Sequence, residues 1–185
     1  MSIMLKRIVK RIVYRLRGDH TTEQLIAMGM KVGKNFKRLV GVILDPAHCW
    51  LIEIGDNVTL APRVHILAHD ASTCQYLGYA KIGKVIIGNI VFIGAETVVL
   101  PNVRIGDNVV VGANSTVTRD LEGGYVYVGS PAKKLCSIEE FIKKNSDLMT
   151  RSPCYGDEYT TRQNIDADKK AQMNREMENS WGFVR

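Results

Sequence analysis

The chain has 185 residues, 45% hydrophobic and 24% charged, enough for one domain with a sizeable core and ordinary for a globular protein. Its net charge of +6 is concentrated at Lys6, Arg7, Lys10, Arg11, Arg15 and Arg17, so the near-neutral remainder excludes a general nucleic-acid-binding surface. No run of about 18 apolar residues occurs, and Cys49, Cys74, Cys136 and Cys154 form no CxxC pair, which together predict no membrane span, free thiols and a cytoplasmic location.

Residues 3–17 read as an amphipathic helix with Leu5, Ile8, Ile12 and Leu16 on one stripe. That stripe must be covered. Packing against the body of the protein is the favoured reading, and peripheral contact with anionic lipid at the inner membrane face is the other. A turn at Gly18-Asp19 follows, with Thr22 expected to cap a short helix over Glu23–Met28. An imperfect repeat then begins at Val32-Gly33, passes Val40, Val42 and Leu44, and clears at Ile54-Gly55, Leu60-Ala61 and Ile66-Leu67. The period fails between Ala68 and Lys81, which reads as a loop leaving the repeat, and Ile82-Gly83 reads as its restart, slightly out of register.

From Ile87 an aliphatic residue returns at every sixth position: Ile93, Val99, Ile105, Val111 and Val117. Gly88, Gly94, Gly106 and Gly112 each follow one of them. Neither a helix nor a simple strand has this period. A six-residue repeat predicts a β-helix: three short faces close a triangular coil, aliphatic residues point inward, and small residues let stacked backbones approach at the corners. The expected fold is therefore an all-β prism. After Val117, Thr118–Gly124 and Gly129–Leu135 read as exit loops, and Ser137 with Glu140 as a capping box opening a helix to about Asn145. A second helix is expected within Asp166–Asn179, with Trp181 and Phe183 as anchors and the tail otherwise partly mobile. The expected divisions are 1–29, an N-terminal helical segment; 30–135, the β-helix; and 136–185, a helix and polar tail.

Of the four histidines, His69 stands where the repeat yields to the loop, so its ring can meet solvent and take a proton from a hydroxyl near neutral pH. His65 precedes an inward residue and should face outward. A metal is not expected: His65 and His69 are four apart but not on a helix, a site on such a solenoid would instead collect histidines from adjacent coils or chains, where His48 could come near them, and no histidine follows Ile82. Cys74 is the rival nucleophile, read as a bystander because nothing adjacent activates it.

The segments IGDNVTLAPRVHILAHD, PNVRIGDNVVVGANSTVTRD and VGSPAKKL resemble the hexapeptide-repeat acyltransferases over Val32 to Leu135. The likeness is nearest to the maltose, galactoside and capsular-sugar O-acetyltransferases and the streptogramin acetyltransferases. It implies left-handed coils, a homotrimer with active sites between subunits, acetyl-CoA as co-substrate and a sugar or glycan hydroxyl as acceptor. The family's catalytic histidine falls on His69, and Asp70 beside it is implied to touch the acceptor. Backbone contacts to acetyl-CoA fall on Ala95 and Ala113, with the Ala95 N–H as the oxyanion donor. Thr118 and Arg119 match a Thr-Lys pair along the cofactor, and Lys133 matches a basic residue at its phosphates. A second basic position is Cys136 here, with Lys134 as its substitute. The chemistry so implied is direct transfer in a ternary complex without an acyl-enzyme. A streptogramin-type transferase, a non-catalytic scaffold and a γ-class carbonic anhydrase-like metalloenzyme are the alternatives.

Overall fold

A computed structural model describes residues 20–185; the helix expected over 3–17 lies outside the described residues. Two compact units divide between Ile138 and Glu139. The first contains the parallel β-helix, built from two- or three-residue strands. Coil one holds β1 (Lys31–Val32), β2 (Lys37–Arg38) and β3 (Ile43–Leu44); coil two holds β4 (Ile52–Ile54), β5 (Thr59–Leu60) and β6 (His65–Ile66). Between coils two and three the chain leaves the prism as a hairpin of β7 (His69–Asp70) and β8 (Lys81–Ile82). Coil three comprises β9 (Val85–Ile87), β10 (Val91–Ile93) and β11 (Val98–Val99); coil four comprises β12 (Val103–Ile105), β13 (Val109–Val111) and β14 (Thr116–Val117).

Parallel pairing stacks these strands into three faces. The first is β1-β4-β9-β12, the second contains β2-β5-β10-β13, and the third is β3-β6-β11-β14. Register places Ile54, Ile87 and Ile105 in one inward column, Leu60, Ile93 and Val111 in the next, and Leu44, Ile66, Val99 and Val117 in the third. All are buried, as is a second set two residues earlier that includes Ile52, Val58, Val64, Val85, Val91, Val103 and Val109. The core thus takes two positions per hexapeptide, mostly aliphatic, with buried Thr97 and Ser115 at the earlier position of the third face in coils three and four. In coil one the column position of the second face is occupied by Arg38, whose Nη1 and Nη2 donate to the carbonyls of His20 at 2.9 Å and Val42 at 2.6 Å.

The glycines after the inward residues are required by proximity. A Cβ on Gly55 would lie 2.7 Å from the Gly88 carbonyl oxygen one coil above, and one on Gly94 would lie 2.8 Å from the Ala113 Cα. Two positions further on, the turn residue has positive φ: Asn35, Asn57, Ile90 and Asn108 after the first face, Arg63, Glu96 and Asn114 after the second. Asparagine tolerates that region, whereas β-branched Ile90 does so at a cost.

Four expectations are corrected. Thr21, not Thr22, caps α1 (Thr22–Ala27): its hydroxyl accepts from the Gln24 N–H while the Gln24 side chain accepts from the Thr21 N–H. Ile82-Gly83 does not restart the coil; Ile82 pairs with His69 in the hairpin and is exposed, and the coil resumes at Val85. The loop itself carries α2 (Cys74–Leu77). Nor does the repeat end at Val117. Leu121 bridges Ile105, β15 (Tyr125–Val128) adds to β13, and β16 (Lys133–Ser137) pairs antiparallel with β15, so the expected exit loop of Gly129–Leu135 is a turn over 129–132 that leads into a strand.

In the second unit, the helix opening at Ile138 continues beyond Asn145 as α3 (Ile138–Met149). The tail is structured: α4 (Ala167–Glu176) is capped by Asp166, and β17 (Cys154–Tyr155) pairs with β18 (Phe183–Val184). Tyr155 and Tyr159 donate to Glu176 and Gln172 on α4 at 2.7 and 2.9 Å. Phe183 is tied down by this pairing, and Trp181 is 73% exposed. No helix among the described residues is long and apolar enough to cross a membrane.

Candidate active site

The site forms where two excursions leave the third corner, at the ends of β3 and β6. Asp45 follows Leu44, and its N–H donates to the Ile66 carbonyl at 3.0 Å, continuing the stack. The seven residues 45–51 then interrupt the prism, closing with a turn of 3₁₀ helix at Cys49–Leu51 whose Cys49 is buried against α1. One coil later the chain turns outward after the buried Ala68, and His69 begins the hairpin. Stacking therefore places Asp45 beneath Ala68 and His69.

Asp45 is buried. Its Oδ2 accepts from the Ala68 N–H at 2.9 Å and contacts His69 Nδ1 within hydrogen-bond reach, and its Oδ1 accepts from the Ala47 N–H at 3.0 Å. Burial pushes this carboxyl up, but the hydrogen bonds from His69 and Ala68 more than offset it and hold it below the ordinary carboxylate value. The His69 side chain is 36% exposed, so its ring is open to solvent while Nδ1 is held from within. A carboxylate on Nδ1 sets the tautomer that carries hydrogen there and leaves Nε2 with a lone pair. The His48 ring lies 5.3 Å from that of His69, and Trp50 lies 5.3 Å beyond His48.

Asp70 does not face an open site in the same way. Lys81, its neighbour across the hairpin, pairs with it at 2.7 Å, and the Ser72 N–H donates to it at 2.9 Å. Those contacts, that of Lys81 first, hold its carboxyl far below the usual range. His65 stands half-buried at an outward position of the third face, in register with Ile43 and Val98. Cys74 is exposed on α2, and among the described residues no hydrogen bond joins it to His69.

The residues expected at the cofactor divide between two corners. Ala95 and Ala113 occupy the second corner one coil apart, following Gly94 and Gly112. Their N–H groups find no backbone or side-chain acceptor among the described residues. Lys133, in β16 rather than a loop, pairs with Val128 on the rung above Gly112 and so continues that edge. Thr118 and Arg119 are exposed at the third corner, the edge from which His69 emerges. Lys134 is already engaged, donating to Glu122 at 2.9 Å and lying over the Tyr125 ring. His69 and Ala95 therefore lie at opposite edges of the third face, about five residues of strand or roughly 16 Å apart.

Sequence reasoning missed Asp45. Its signal was the unexplained break in period between Leu44 and Ile52, at the same corner as the longer break that exposes His69.

A bacterial hexapeptide-repeat transferase model (six repeats) matches residues 84–119, which span coils three and four. Protein CapG of Staphylococcus aureus is 32% identical over 182 residues, covering 94% of this chain and 99% of its own. A maltose O-acetyltransferase structure from Clostridium difficile 630 is 38% identical with a TM-score of 0.53, covering 60% of this chain and 59% of that one. A hexapeptide-repeat acetyltransferase of Vibrio cholerae O1 biovar eltor, complexed with acetyl coenzyme A, is 28% identical with a TM-score of 0.53 over 60% of this chain and 61% of its own. The fold is thus the left-handed β-helix of hexapeptide-repeat transferases. The chain belongs to that family, and several of the relatives it matches are named acetyltransferases. It spans about three fifths of the length of these solved structures.

Proposed function

We propose that the protein transfers an acetyl group from acetyl-CoA to a hydroxyl of a sugar or glycan, with His69 as general base. The buried Asp45 carboxylate on His69 Nδ1 is the observation that carries this reading. It orients the ring, leaves Nε2 free to accept a proton, and stabilises the imidazolium formed when it does. As the acceptor oxygen attacks the thioester carbon, its proton passes to Nε2. The tetrahedral intermediate collapses with cleavage of the C–S bond, and the imidazolium returns the proton to the departing thiolate. No acyl-enzyme forms, and Cys74 takes no part.

The open N–H groups of Ala95 and Ala113 are suited to the thioester oxygen and the pantetheine arm, with Lys133 further along the same edge toward the phosphates. Because that edge and His69 are separated by a full face, one chain's His69 would work against a second copy's alanine edge. This supports a homotrimer with sites between subunits. Thr118 and Arg119, on the His69 edge, would contact the cofactor from the other side, and Asp70 would meet acceptor hydroxyls with its oxygens already oriented by Lys81. The maltose relative favours a sugar acceptor.

Thiol release from acetyl-CoA with a panel of sugars, glycosides and streptogramins tests the reading. One acceptor should give turnover that His69→Ala lowers by about 10²–10⁴ while acetyl-CoA affinity is retained. Undiminished turnover in His69→Ala would remove the base, and turnover with a streptogramin alone would replace the acceptor class.

A further inference from the structure

Beside the catalytic pair lies a feature that acetyl transfer does not use. His48 brings a third ligand-bearing side chain to Asp45 and His69, and one ligand atom from each of the three lies within 4.8 Å of the others. The His48 Nδ1 is buried and has no hydrogen-bond partner among the described residues, an orphaned polar atom that requires an explanation. We propose that Asp45, His48 and His69 form a binding site for a divalent transition-metal ion, and that occupancy switches the transferase off.

The donor set selects the class of ion. Two imidazoles and one carboxylate suit zinc, cobalt or nickel and offer too few oxygens for calcium or magnesium. Three protein ligands with an open fourth position is the usual stoichiometry of an accessible zinc site. Ligand atoms about 2.1 Å from a tetrahedral ion are roughly 3.4 Å apart, so side-chain adjustments of the order of 1 Å close the cluster. The Asp45 carboxylate is already fixed by the Ala47 and Ala68 N–H groups, the outer support that metal-binding carboxylates need. His65, on the outer surface of the third face, is not a ligand.

The inhibitory effect, which rests on His69 being the base, follows from the tautomer. An ion on Nδ1 displaces the hydrogen shared with Asp45, and a neutral ring then carries its hydrogen on Nε2. A nitrogen that bears hydrogen cannot accept the acceptor's proton. Coordination also takes the Asp45 charge away from the imidazolium it would stabilise.

Cobalt(II) provides a test independent of turnover. Titrated into the full chain without acetyl-CoA, it should saturate at one ion per chain with a visible absorption band that zinc displaces. His48→Gln and His48→Ala should each weaken binding at least tenfold, with His65→Ala unchanged; thermal midpoints in EDTA identify any variant that has failed to fold. In the transfer assay, zinc should inhibit the wild type reversibly. His48→Gln, relative to its own rate in EDTA, should need at least tenfold more. Absence of saturable cobalt binding, or equal binding by folded His48 variants, overturns the site. Binding without inhibition overturns the switch. No transfer by wild type in EDTA counts against the acetyl-transfer reading alone and leaves the cobalt result standing.

Discussion

The first and second corners of the prism are built on the same backbone turn but finish it differently. After the first face, the turn N–H in each of coils one to three is capped from the coil above: Lys34 by Asp56, Asp56 by Asn89, and Asn89 by Asp107, at 2.6, 2.9 and 2.6 Å. After the second face the corresponding residues are Ala95 and Ala113, which have no side-chain oxygen to offer, and their N–H groups stay open. One corner spends its donors on holding the stack together, and the other keeps them for a ligand. The difference rests on a handful of side chains, and it shows how a repeat that is uniform in its core can specialise one edge.

The largest effect that would break this contrast comes from removing a single N–H. Pro62 occupies the position in coil two that Ala95 occupies in coil three, and Arg63 and Glu96 follow them with φ of 59° and 62°. Ala95→Pro should therefore preserve the turn while deleting the donor. The proposed oxyanion role predicts a fall in kcat of about 10²–10³ at an unchanged thermal midpoint, and an unchanged kcat would return the second corner to a purely structural role.

At the third corner the paired carboxylate gives a pH signature. Asp45 is held below its unfolded value, so the stability it contributes is present above the ordinary carboxylate range and is lost as pH falls through the lowered folded value. Thermal midpoints measured from pH 6 to pH 3 should fall less steeply in Asp45→Asn than in wild type. Parallel curves would show that the pair does not contribute to acid sensitivity.

Two smaller changes address the first corner. Asn35, Asn57 and Asn108 take the positive-φ position where Ile90 sits at 56°. Ile90→Asn should raise stability by about 1 kcal/mol in denaturant unfolding, because a β-branched side chain pays for that conformation. Asp107→Ala, which uncaps the Asn89 N–H, should cost about 1 kcal/mol or less at this exposed position. If it also alters the KM for acetyl-CoA, the division of labour between the corners is wrong.

The prism was legible because a solenoid writes its core as a period: each of Ile54, Leu60, Ile66 and Ile87 through Val117 falls in its predicted column. Where the period is imitated or broken, the reading faltered. Ile82-Gly83 has the local form of a repeat but sits on a hairpin, because pairing with His69 gives its backbone a partner outside the stack. Arg38 hides a true column position behind a charge. His69 was found from the end of a repeat and a family motif, whereas Asp45 lies 24 residues earlier and meets it only through stacking, a relation that local sequence does not express. In the polar tail the helix within Asp166–Asn179 was legible, but the tyrosine hydroxyls that bond to side chains of α4 leave little apolar periodicity to read.

Arg38 has one more consequence. A stack of identical rungs has no inherent length, and a parallel sheet that ends on an aliphatic column invites another copy to continue it. Here the second column runs Val111, Ile93, Leu60 and then a guanidinium fastened to its own carbonyls. A further rung laid upon it would meet a guanidinium already committed to the carbonyls of His20 and Val42 where the other coils present an aliphatic side chain, so coil one closes this column with a residue that does not repeat it.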